Sequence, residues 1–138
     1  MADLTVNAAL VNYSNQATLR REYSLGFASA QAGQIVVLNS SNQWVKVDVN
    51  GAIGTNYGDT IAMLATGGNT NQPAVAIQED PGLNVGAILT NGVAYYGSPN
   101  AGAIAPVADL TGSVSLLLGV ARSTTVINFK PITTGATI

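Results

Sequence analysis

The chain reads as an all-β domain, a compact sandwich or barrel of about eight to ten short antiparallel strands preceded by an N-terminal arm. Three observations predict it. Short β-branched apolar runs recur every ~8–12 residues, glycine, Asn-Gly and Pro-Gly clusters separate them, and no useful length of sequence carries a helical period. At 138 residues the chain suits one domain, large enough to bury a core without metal or disulfide.

Residues 1–24 contain no glycine and hold the adjacent pair Arg20-Arg21 with many Asn and Gln. They read as the arm, with 25–138 as the β domain. Leu4, Val6, Ala8 and Leu10 alternate weakly, as in a half-buried strand. Gln16 to Leu25 fits a helical turn equally well, and an arm ordered only by a partner is a third reading.

Strand grammar sharpens from Ala32. Gly33 opens Gln34 to Leu38, Asn39-Ser-Ser-Asn42 turns, and Trp44 to Val49 returns to complete a hairpin. Asn50-Gly51 marks a further turn and Gly54 to Asp59 a loop before the strand Thr60 to Ala65. The run Thr66 to Asn71 is a polar loop tip, and Pro73 suits the first position of a strand Ala74 to Gln78. Glu79-Asp-Pro-Gly82 reads as a solvated turn. Gly86 to Thr90 and Val93 to Tyr96 flank Asn91-Gly92, the strongest short hairpin signal in the chain, because a type I′ turn needs positive φ at both central residues. Ala103 to Val107 is a short strand broken by proline. Leu116 to Ala121 pairs with Thr125 to Lys130, and Pro131 with the Thr-rich tail ends the structured part.

Composition narrows function. The charged fraction is 9% against a usual ~25%, so Asn, Gln, Ser, Thr and Gly build the surface. Net charge is −2 with five Lys and Arg in all, which excludes the clustered cations a nucleic-acid footprint requires. Low net charge favours association. No run approaches the ~18–20 apolar residues of a membrane span, and the first residues lack the basic and apolar regions of a secretory leader. Without that leader, the sequons at Asn12 and Asn39 are expected to stay unmodified.

Chemistry is sparse. There is no His and no Cys, which removes Ser-His-Asp and Cys-His catalysis, thiolate metal sites and disulfides. Glu79 and Asp80 are neighbours, but adjacent side chains on an extended chain point apart. Asp109-Leu-Thr-Gly112 has Leu where an aspartic-protease loop needs Thr or Ser, so it reads as a turn. Lys46, Lys130, Asn50 and Asn91 supply the residue types of an isopeptide crosslink without sequence evidence of proximity. Trp44, Tyr57, Tyr95 and Tyr96 are candidates for a sugar-stacking face, although packing is the commoner use of such rings. No cofactor and no metal are expected, and the chain reads as non-enzymatic.

Several phrases recur in a fixed order from Thr60 to Thr137: Ile61-Ala62 before Gly68 and Gln72-Pro73, Gly86-Ala-Ile-Leu-Thr-Asn-Gly92 followed by Tyr95, Gly102-Ala-Ile-Ala-Pro-Val-Ala-Asp-Leu-Thr-Gly112, and Leu118-Gly-Val-Ala121. In this order they resemble the capsid decoration (cement) and head-fibre proteins of tailed bacteriophages. The resemblance implies a virion structural protein, made in the host cytoplasm, that binds the major capsid protein on the outer surface of the head as a homotrimer or other homo-oligomer. It also implies capsid or subunit contact through the arm, at Leu4, Val6, Leu10, Tyr13, Arg20, Arg21 and Tyr23. A head- or tail-fibre module binding a receptor or carbohydrate is the alternative. Neither nucleic acid nor membrane is an expected partner.

Overall fold

A computed structural model describes residues 3–17, 19–47, 61–98, 100–106 and 114–137. The Asn50-Gly51 turn, the Gly54–Asp59 loop, Tyr57 and the Asp109–Gly112 turn lie outside the described residues. Within them the named strands all pair antiparallel, an isolated parallel bridge joins Leu25 to Trp44, and a single-turn 3-10 element lies at Ala8–Leu10. The strands are β1 (Val11–Asn12), β2 (Leu19–Ser24), β3 (Ile35–Leu38), β4 (Trp44–Lys46), β5 (Ala62–Leu64), β6 (Pro73–Val85), β7 (Ala94–Gly97), β8 (Ile104–Pro106), β9 (Val114–Ala121) and β10 (Val126–Thr137).

They form one sheet in the order β4-β3-β5-β6-β10-β9-β7-β8, with β1 and β2 added on β6. The sheet curls into a half-barrel. Gly102, just before β8, ties to the β3–β4 hairpin, accepting from the Ile35 amide at 2.9 Å and donating to the Val47 carbonyl at 2.9 Å. The main core fills the interior with Ile35, Val37, Met63, Ile77, Leu83, Val85, Tyr95, Leu116, Leu118, Ile127 and Phe129 among its members.

A second, smaller core lies on the opposite face of β3, β5 and the first part of β6. Side chains alternate across a strand, so Ile35 and Val37 enter the main core while Val36 and Leu38 enter the second, beside Trp44, Ala62, Leu64, Ala74 and Ala76. That two-sided burial explains why Ile35 to Leu38 is apolar without interruption. The loop from Leu25 to Ala30 covers this face, held by Gly26 N–H to the Trp44 carbonyl (2.8 Å) and by reciprocal amide bonds between Ala30 and Gly68. Trp44 fills the centre and donates its indole N–H to the Ala74 carbonyl at 3.2 Å.

The long strand β6 departs most from the sequence expectation. Glu79-Asp-Pro-Gly82 is no turn; β6 runs through it from Pro73 to Val85. Its first half pairs with β2 and β5 and its second half with β10 and β1, so Asp80 to Gly82 form the corner at which one strand changes partners. Such corners use bulges. Here the β10 register shifts between Ile127, opposite Leu83, and Phe129, opposite Asp80. Proline is tolerated at a bulge because the ladder asks less of its missing N–H.

Three further expectations are corrected. Asn91-Gly92 does turn, with Val93 N–H bonded to the Thr90 carbonyl at 3.1 Å and Gly92 at φ 83°, but its flanks do not pair. The edges of β7 are taken by β8 and β9, and Leu89 instead donates to the Thr124 carbonyl at 2.8 Å. Pro131 does not end the structure: β10 passes it with a register shift and continues to Thr137. At the other end, Leu4 to Leu10 is no strand: single amide bonds tie Leu4 to Ile104 and Asn7 to Gly86, and Ala8–Leu10 is a 3-10 turn. The segment that fitted a helical turn is β2, paired with β6 from Leu19 opposite Glu79 to Ser24 opposite Pro73.

Candidate interaction surface

The residues singled out in the arm separate into four environments. Leu4 and Val6 are partly buried and pack against the main core, with Leu4 donating its N–H to the Ile104 carbonyl at 2.8 Å. Tyr23 packs on the second core, edge-on to Trp44 with ring centroids 5.5 Å apart at 83°. Arg20 and Arg21 lie in β2, opposite Ile77 and Ala76 of β6. Among the residues whose burial is described at this end, Leu10 and Tyr13 combine size, apolar surface and exposure, at 58% and 36%.

Leu10 does not stand alone. It shares a shallow groove of about 300 Å³ with Ile88, which is 86% exposed, over a floor of Asn84, Gly86 and Ala87 with Thr125 at its rim. The 3-10 turn places Leu10 there: the Asn7 side chain caps it by accepting from the Ala9 amide at 3.1 Å. The other wall comes from the Gly86–Val93 segment, where Ala87 and Leu89 turn inward and leave Ile88 outward. Among the described residues, no charged side chain lines the groove.

A second apolar feature lies on the outer face of the sheet. Tyr96 of β7 faces Leu117 of β9, which faces Ile132 of β10. Directly paired residues share a face and touch, so the three make a row across the sheet, with Val120 nearby opposite Ala94 and Asn128. Ile132 and Val120 are 49% and 42% exposed. Sequence reading missed Ile88, Val120 and Ile132 as surface residues. The alternation of Ala87, Ile88 and Leu89 carried a usable signal, whereas the outward turn of Val120 depends on the register shift between Tyr95 and Tyr96.

Nothing in the described residues assembles a reaction centre. No three acidic side chains gather at a metal-binding distance among them. Asp80 is fully buried and accepts from the Ser14 amide at 2.7 Å, the Ser14 hydroxyl and the Gly82 amide at 2.9 Å. This corrects the solvated-turn reading: three donors replace the water a buried carboxylate would otherwise need. Asp3 likewise accepts from the Ser98 hydroxyl and from Asn100 Nδ2 at 2.8 Å. Among the sugar-face aromatics, Trp44 and Tyr95 are buried, Tyr95 accepting the Thr90 amide on its hydroxyl at 2.9 Å. Lys46 lays its ammonium over the Phe27 ring at 5.4 Å. No protein-family profile matches the chain, and no curated protein matches it.

Proposed function

We propose that the chain is a non-enzymatic structural protein of a tailed-phage virion, decorating the outer surface of the head by binding the major capsid protein and working as a homo-oligomer. The observation that carries this reading is the set of apolar side chains left open on the β body, at the Leu10–Ile88 groove and the Tyr96–Leu117–Ile132 row. Both offer contact area without a pocket full of titratable groups, which suits adhesion to a shell better than chemistry on a small molecule. The ordered phrases between Thr60 and Thr137 point the same way by resemblance.

The mechanism is mass action. A protein that binds the assembled shell but not its separate subunits stabilises the shell in proportion to RT ln(1 + [L]/Kd). The groove and the row supply apolar area, and the surrounding Asn and Thr side chains supply hydrogen bonds that fix orientation. The alternative, receptor or glycan binding by a fibre module, calls for a cluster of exposed rings, and Trp44 and Tyr95 are spent on the cores.

The decisive experiment mixes the purified chain with mature heads lacking it. Co-sedimentation at a fixed stoichiometry per capsomer, with a higher head-disruption temperature, is the expected result. Failure to bind heads, together with binding to host glycans, overturns the proposal.

A further inference from the structure

The segment Asp3–Ala17 crosses the body as a strap fastened by two carboxylate clasps of opposite polarity. At its start the strap supplies the carboxylate, Asp3, and the body supplies the donors, the Ser98 hydroxyl and Asn100 Nδ2. Towards its end the polarity reverses: Ser14 of the strap donates twice to Asp80 of the body. Between the clasps, Asn7 donates to the Gly86 carbonyl at 2.7 Å, Val11 and Asn12 pair with Val85 and Asn84, and Leu4, Val6 and Val11 pack on the main core.

The bed beneath is cut to this strap. A Cβ on Gly33 would lie 2.5 Å from Val6 Cγ1, and one on Gly86 would lie 2.4 Å from the Asn7 carbonyl oxygen. The connection onward to β2 is lighter. Asn15 and Gln16 form an exposed turn, and the Ala17 amide reaches the Ser14 carbonyl at a long 3.3 Å.

These contacts join strap to body, so the same strap arriving from another molecule satisfies each of them. We infer that Asp3–Ala17 is an exchangeable strap, which two copies of this chain trade by opening the turn at Asn15–Gln16, each seating its strap in the other's bed. The clasps identify the occupant. A segment that fits must carry a carboxylate at one end, a serine at the other and small apolar side chains between, and a second copy of the chain carries all of these. Asp3 is the strap's only charged residue, so two straps passing each other bring no cluster of like charges together. Because closed and exchanged forms share their contacts, concentration and the turn decide between them. Strap exchange is one route to the homo-oligomer proposed above, and it does not require capsid binding.

The chain has no cysteine, which makes the test direct. Asp3→Cys/Ser98→Cys places two thiols where the Asp3 and Ser98 side chains touch. Oxidation across a concentration series is expected to give a covalent dimer whose share grows with concentration, and peptide mapping of that dimer joins the position-3 and position-98 peptides. Crosslinking only within single chains at every concentration, or a dimer lacking that link, overturns the inference. Hydrogen exchange on the unaltered chain gives a second reading that needs no substitution. The amides of Leu4 and Asn7 are expected to exchange at least about tenfold faster than that of Leu64, since the strap must open without the body unfolding. Equal protection at all three overturns it as well.

Discussion

Ser14 and Asp80 are 66 positions apart in sequence, yet Ser14 gives both its amide and its hydroxyl to the buried Asp80 carboxylate. The same carboxylate holds the Gly82 amide. One side chain therefore fixes both the corner of β6 and the end of the N-terminal segment. Asp80→Ala leaves two backbone donors unsatisfied and is expected to cost about 3 kcal/mol in urea unfolding. A loss below about 1 kcal/mol would show that water replaces the carboxylate without penalty.

Two glycines with positive φ separate backbone strain from steric fit. Gly92 (φ 83°) has no atom within 4 Å of an added Cβ, whereas at Gly86 (φ 70°) the Asn7 carbonyl oxygen stands 2.4 Å away. Gly92→Ala is expected to cost about 1 kcal/mol, the price of left-handed backbone alone. Gly86→Ala should cost more by thermal or urea unfolding, because it also lifts the strap. Equal effects at the two positions would argue against the tight seat.

The second core depends on Trp44. Removing its ring by Trp44→Ala is expected to cost about 3–5 kcal/mol, while Trp44→Phe keeps most of the packing and loses the bond to the Ala74 carbonyl, about 1 kcal/mol beyond the small void it leaves. Denaturant midpoints at matched slopes resolve the two. If Trp44→Ala unfolds with little loss, the Leu25–Ala30 loop does not act as a cover.

Ile88 tests the surface without testing the fold. At 86% exposure it contributes little packing, so Ile88→Ser should leave the unfolding midpoint unchanged within error. If the groove contacts the capsid, burying an isoleucine there is worth about 1.5–3 kcal/mol, and the variant should bind heads at least about tenfold more weakly. Unchanged head binding would remove the groove from the interface and leave the Tyr96–Leu117–Ile132 row as the contact to examine.

Local chemistry made much of the fold legible. The β3–β4 hairpin follows from an apolar run, Asn39-Ser-Ser-Asn42 and a second run, and the turn closes as expected, with the Asn39 side chain accepting the Ser41 and Gln43 amides. Pro73 begins β6, and β9 pairs with β10 across the turn after Ala121. The errors have one character. Pro-Gly after Asp80, Pro131 and Asn91-Gly92 are sound turn signals whose outcome was decided by groups far along the chain: Ser14 and the β10 bulge at the first, the Leu117–Ile132 register at the second, Thr124 at the third. Of the candidate contact residues, the sequence could flag Leu10 as apolar but not that Ile88 would stand beside it.

By itself, then, the sequence determined an all-β chain, its turn-rich punctuation and the poverty of its acid–base chemistry, since periodicity, Asn-Gly pairs and the absence of His and Cys are properties of short windows and of composition. Tertiary structure alone decided that Asp80 is buried, that the N-terminal residues lie strapped to the body, and which apolar side chains remain outside. Those outcomes rest on hydrogen-bond partners and sheet register set between distant segments, and a buried carboxylate is tolerable only where the fold brings its donors to it.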